Sequence, residues 1–151
     1  MGDILTNSKA RRDYFILETV EAGIVLKGTE VKSLRAGRGQ IRDAFAKIEN
    51  GQINLYNAHI DEYSFGNRLN HNPKANRRLL LHKSEIRRLE LQVMAKGTAL
   101  IPLGMYWKKN RVKVRLGLGK GKAEYDKRND IRKRDAEEEV RRAMSYRQKN
   151  R

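Results

Sequence analysis

At 151 residues the chain suits one domain, and with 38% apolar and 34% charged residues it supports only a modest core. Thirty-four Lys and Arg stand against 18 Asp and Glu, a formal net charge of +16 that repels itself unless a polyanion or a membrane surface answers it; nucleic acid is the expected partner. The chain has no cysteine, which excludes disulfide frameworks, thiolate metal sites and Cys nucleophiles.

Residues 1–12 are polar and basic and read as an N-terminal arm. They lack the apolar stretch of a signal peptide, and no run approaches the roughly 18 apolar residues of a membrane span, so the expected setting is the cytoplasm without membrane contact. "DYFILETVEAGIVLKG" (13–28) is rich in β-branched and aromatic residues; Gly23 divides it into two short strands or bends one. "TEVKSLRAG" (29–37) predicts a short helix, with Thr29 as N-cap, Val31 and Leu34 on one face and Gly37 just past the end. "AFAKIENGQINLYNAHI" (44–60) predicts a hairpin turning at Asn50-Gly51. "DEYSFGNRLNHNPKANRR" (61–78) reads as a long loop, and loops of that length are functional or mobile. Ser84 then caps a second helix carrying Ile86, Leu89 and Val93, which closes at Gly97. Residues 98–107 and 111–118 read as strands joined by "KKN". The second alternates, with Val112, Val114 and Leu116 on one face and Lys113 and Arg115 on the other. Five or six strands interleaved with two helices suit a mainly β fold, a small OB-like antiparallel barrel over residues 13–118 with short flanking helices. Residues 119–151 form a basic tail.

The stretch "GLGKGK" fails as a nucleotide loop. A phosphate-cradling loop needs Gly-Lys followed by Ser or Thr, and Lys122 is followed by Ala123; Gly117, Gly119 and Gly121 also lack dinucleotide-motif spacing. A flexible hinge between barrel and tail is the preferred reading. His59, His71 and His82 lack the i, i+4 pairing of a metalloprotease helix, and His71 between Asn70 and Asn72 reads as a loop hydrogen-bonder. Glu137, Glu138 and Glu139 sit at helical ion-pairing distance from Arg141 and Arg142. No metal site, cofactor or catalytic set is therefore expected. "ARRDYF" and "MYWKKNR" interleave cations with rings, as RNA-binding surfaces do, although burial competes for Tyr14, Phe15 and Trp107. Lys113 and Arg115, opposite an apolar stripe, are better placed to meet RNA. In the tail, Ala136, Val140, Ala143 and Met144 fall at helical spacing, but the stripe is thin. The tail is expected to be disordered when free and helical on a polyanion.

Taken together, "EAGIVLKGTEVKSLRAG" (21–37), "NHNP" (70–73), "LLLHKSEI" (79–86) and "KGKAEYDKR" (120–128) resemble the SsrA-binding protein (SmpB) family from about Ala10 to the C-terminus. The resemblance implies an OB-like barrel that binds the tRNA-like domain of transfer-messenger RNA (tmRNA) and stands where an anticodon arm would be. It implies a non-enzymatic, monomeric adaptor, delivered with elongation factor Tu to the A site of a stalled ribosome. There the tail occupies the decoding centre and the mRNA channel in trans-translation. By position, Glu21, Leu80 and Lys113 match family residues associated with tmRNA binding. Asn7, Arg11 and Arg12 match the basic entry to the first strand, and Arg77 and Arg78 offer loop contacts to RNA. Gly121, Asp126, Lys127 and Arg128 match the tail's hinge and its ribosome-engaging element, which Arg132, Lys133 and Arg134 extend. Ala75 and Ala123 stand where family members often carry a basic residue.

Overall fold

In a computed structural model of the chain, residues 2–66, 69–94, 97–122 and 124–149 are described, the last segment with side chains at 131–144. The chain divides into two units, residues 1–121 and 122–151. In the first, three long strands set the frame: β2 (Tyr14–Ile24), β8 (Thr98–Lys108) and β9 (Arg111–Gly121). The intervening β4 (Phe45–Glu49), β5 (Gln52–Tyr56) and β7 (Arg77–Leu80) complete an antiparallel sheet in the order β8-β4-β5-β7-β2-β9. β9 pairs again with β8, so the sheet closes into a ring, the expected small barrel, and has no long open edge. A two-stranded sheet, β3 (Gly39–Gln40) with β6 (His59–Ile60), lies beside it.

Inward alternation fills the ring. Ile53, Leu55, Leu79, Val114 and Leu116 are all buried, so the stripe read on residues 111–118 does face the core. The predicted turn forms, with Asn50 and Gly51 at φ +52° and +73°, the left-handed pair of a two-residue hairpin. The β8–β9 connection uses the same geometry at Lys109 and Asn110 without a glycine. Two helices flank the barrel as predicted. Helix α2 (Gly28–Arg35) is capped at Lys27, two residues before the predicted cap Thr29, because Glu30 reaches back 2.8 Å to accept from the Lys27 backbone N–H. Gly37, at φ +69°, ends it. Helix α3 (Lys83–Val93) is capped at His82 and buries Ile86 and Leu89.

Three local expectations are corrected. Gly23 does not break β2; it pairs with Leu80 on one side and Lys113 on the other, and the strand's irregularity lies instead at Leu17, between Ile16 and Glu18. The arm is not free: Leu5–Thr6 form strand β1 on β8, and Ser8–Asp13 form helix α1. The glycines of "GLGKG" are not a hinge. Gly117 and Gly119 lie within β9, where a β-carbon would stand 2.9 Å from the Leu103 and Tyr14 side chains respectively, so glycine here lets neighbouring side chains close over the strand. The strand continues past residue 118 to Gly121, which pairs with Tyr14.

The second unit is a helix, α4 (Glu124–Lys149). Its described side chains, residues 131–144, are all exposed, and an Arg142–Glu138 pair at 3.5 Å spans one turn. Among the described residues no helix is long and apolar enough to cross a membrane.

Candidate nucleic-acid interface

Residues 122–151 hold eleven basic and seven acidic residues, so three quarters of the +16 excess sits on residues 1–121. Attraction to a polyanion is therefore chiefly a property of the barrel unit.

On the outer face of β2, Gly23 organises a patch. Its register partners are Leu80 on β7 and Lys113 on β9. A β-carbon on Gly23 would stand 3.2 Å from Leu80 Cβ and 3.7 Å from Lys113 Nζ, so the missing side chain lets an apolar and a cationic group meet. Leu80 stays half exposed (49%) beside the Lys113 ammonium. Two residues along the same face, Glu21 pairs with Arg115. Both Glu21 oxygens are engaged: Oε2 accepts from the Tyr106 hydroxyl at 2.5 Å and Oε1 from Lys108 Nζ at 3.1 Å. These hydrogen bonds, Tyr106's first, hold the Glu21 carboxyl below the ordinary carboxylate value. Burial, then the bond to Glu21, push the Tyr106 phenol up to about 12. The acid is thus an internal fastener on a basic face. Arg115 packs 4.9 Å over the Tyr106 ring and pairs with Asp3 at 3.1 Å. Beside the patch, a groove of about 230 Å³ runs between the end of β2, α2 and the β8–β9 turn. Trp107, half buried against the core and 5.3 Å beneath the Arg35 guanidinium, is in its wall.

Residues 4–146 match the family model described as SmpB protein. The chain belongs to the SmpB family. It is 59% identical over 140 residues to an SsrA-binding protein of Desulforudis audaxviator, covering 93% of this chain and 92% of that one. It is 56% identical over 147 residues to an SsrA-binding protein of Desulforamulus reducens, covering 97% and 91%. Among solved structures it is similar to a chain in one described as "tmRNA-SmpB: a journey to the center of the bacterial ribosome", with TM-score 0.68 and 47% identity over 84% of this chain and 93% of that chain.

Of the candidate RNA-binding residues, Glu21, Leu80 and Lys113 come together on the Gly23 face. Two others do not join them. Asn7 is buried: its amide donates to Ile41 O at 3.1 Å and Pro102 O at 2.9 Å, and its Oδ1 accepts from the Ala10 N–H. It caps α1 and ties the first strand to the barrel, with no polar atom left for RNA. Arg77 is also buried, paired with Glu30 and donating to Ala58 O at 2.7 Å and Pro73 O at 3.0 Å. Both are corrected here from RNA contacts to structural residues. Arg78 points outward, and Arg11 and Arg12 are exposed on α1, Arg12 within 3.2 Å of Asp13.

Hydrogen bonds tie together the described residues of the long loop. Asn70 accepts from the Tyr63 N–H and donates to Tyr63 O, while His71 donates from Nε2 to Ile60 O at 2.9 Å with Thr29 Oγ1 2.8 Å from Nδ1. His71 is therefore the loop hydrogen-bonder its asparagine neighbours indicate. Among the described residues no group of three or more His, Asp or Glu is placed to hold a metal.

In the tail unit, Arg132, Lys133 and Arg134 are exposed on α4, and Lys133 stands beside the Ala136–Val140–Met144 stripe. Asp126, Lys127 and Arg128 lie on the same helix, their side chains outside the described residues. Sequence reasoning missed Gly23, Tyr106 and Lys108 as parts of the patch. The one available signal was strand parity: Gly23 shares a face with Glu21, and Tyr106 and Lys108 share one with each other.

Proposed function

We propose that the chain is an RNA-binding adaptor of trans-translation: it binds the tRNA-like domain of tmRNA and brings it to the A site of stalled ribosomes. The observation that carries this reading is the convergence of Glu21, Leu80 and Lys113 around Gly23, in an SmpB-family chain whose charge excess lies on its barrel. Lys113 meets phosphate, Leu80 supplies an apolar contact, and Glu21 fixes Tyr106 and Lys108 in place. Arg11, Arg12 and Arg78 extend the basic surface.

The tail acts on the ribosome. Gly121 is its exit from β9, and Asp126, Lys127 and Arg128, followed by Arg132, Lys133 and Arg134, engage the decoding centre and mRNA channel as the helix α4, whose thin apolar stripe leaves it marginal without a partner. The protein works as a cytoplasmic monomer without catalytic activity of its own, in a delivery complex that includes elongation factor Tu. Support comes from the similar structure's description, which joins tmRNA, SmpB and the ribosome, and from the predominance of good helix formers in α4.

The test is reconstituted translation of a message lacking a stop codon, with tmRNA and elongation factor Tu supplied. Adding this chain should produce tmRNA-encoded tagging of the nascent peptide. Equal tagging with and without it contradicts the adaptor role.

A further inference from the structure

The groove beside the Gly23 face is shaped for something other than phosphate. Its walls are apolar, drawn from Ile24, Leu26, Val31, Leu80, Trp107 and Val112, while Lys113 and Arg111 stand with Asn110 along it. Resting on the RNA-binding reading above, we propose that this groove receives one unstacked nucleobase of the bound RNA, its flanking phosphates held by Lys113 and Arg111.

Three observations bear on the occupant. The first is size. At about 230 Å³ the groove is smaller than the roughly 300–1,000 Å³ of sites that enclose drug-sized ligands, so it admits a single flat ring system. The second is chemistry. An aromatic side chain flanked by cations is the recurring platform on which unpaired bases stack; Arg111 and Lys113 share the groove lining with Trp107, and Arg35 lies 5.3 Å over that ring. Glu21, the acid of the adjoining patch, has both oxygens engaged by Tyr106 and Lys108, so it does not oppose an anion at the groove. The third is continuity. Gly23, Leu80 and Lys113 belong to both patch and groove, so RNA lying along the patch passes the opening. A half-exposed leucine gives a phosphate nothing but gives a base an apolar surface, which accounts for Leu80 on a basic face.

Trp107 is the chain's only tryptophan, so its emission reports on the groove alone. The full chain is titrated with the transcribed, end-labelled tRNA-like domain of tmRNA, reading label anisotropy for binding and tryptophan emission for groove contact. Each unpaired nucleotide is then replaced in turn by an abasic residue, which alters the RNA and leaves the protein's folding untouched. Binding is expected to quench Trp107 and shield it from acrylamide. One abasic position, or two adjacent ones, should weaken binding by roughly ten- to hundredfold, the range of a base–aromatic stack, with the salt slope unchanged because no phosphate is lost. At that position the Trp107 quench should also disappear. Binding with unperturbed tryptophan emission, or with no sensitive abasic position, overturns the base site and leaves the adaptor reading standing. No rise in anisotropy overturns both.

Discussion

Arg77 and Arg78 adjoin in sequence and have opposite fates. Successive side chains on a strand alternate between faces, so if Leu80 faces outward, Arg78 does too and Arg77 must turn in. The turned-in guanidinium is matched by Glu30 and by backbone carbonyls, so Arg77→Ala strands a buried carboxylate. It should cost about 3–5 kcal/mol in denaturant unfolding, while the salt slope of RNA binding for the fraction still folded stays unchanged. Lys113→Ala has the complementary signature: stability is nearly unaffected, RNA affinity falls and the salt slope drops by about one. An unchanged slope would mean that Lys113 touches no phosphate. The same parity rule was available from "RRLL", yet residue type alone reads every arginine as a surface cation. Asn7 was misread for the same reason: its burial depends on Ile41 and Pro102, neither near it in sequence.

Glu21 and Tyr106 give a pH signature. The Tyr106 value lies above its ordinary one, so their hydrogen bond contributes fully below pH about 10 and is lost as pH rises through about 12. For Glu21 the sign reverses. Its value is lowered, so its contribution is present above the ordinary carboxylate range and lost as pH falls through the lowered value. Glu21→Gln should bring one late-titrating phenol down toward the ordinary range in ultraviolet titration and weaken RNA binding by freeing Tyr106 and Lys108. A titration identical to that of the parent protein would remove the fastener role.

At the scale of elements, strong local chemistry was legible and close packing was not. Asn50-Gly51 specifies its turn by dihedral preference alone, and the Val112–Val114–Leu116 stripe specifies which way β9 faces. The β8–β9 turn was placed by its flanking strands, since Lys109 and Asn110 carry no glycine to announce left-handed dihedrals. The glycines of "GLGKG" misled because flexibility and close approach look alike in sequence; only the pairing of β9 with β2 and β8 brings Tyr14 and Leu103 over them. Gly119→Ala forces a β-carbon into the Tyr14 side chain and should destabilise the barrel by about 1–3 kcal/mol in urea unfolding. A hinge glycine would show no such cost. The candidate site was half legible for a related reason. Glu21, Leu80 and Lys113 come from three strands, and only the β7-β2-β9 order makes them neighbours.

At the scale of the molecule, the chain divides into a barrel unit and a helical tail with little apolar surface, and the proposed function assigns RNA to the first and the ribosome to the second. Deleting residues 126–151 should leave affinity for tmRNA within roughly tenfold, about 1.4 kcal/mol, and abolish tagging on stalled ribosomes. A larger loss of RNA affinity would show that the tail shares in tmRNA recognition. The central claim is that the barrel face recognises tmRNA and not RNA in general. It is tested most directly by competing the labelled tRNA-like domain against an unrelated structured RNA of equal length over a range of salt concentrations. The expected result is a preference for the tRNA-like domain that survives added salt as non-specific binding falls away. Equal affinities at every salt concentration would contradict it.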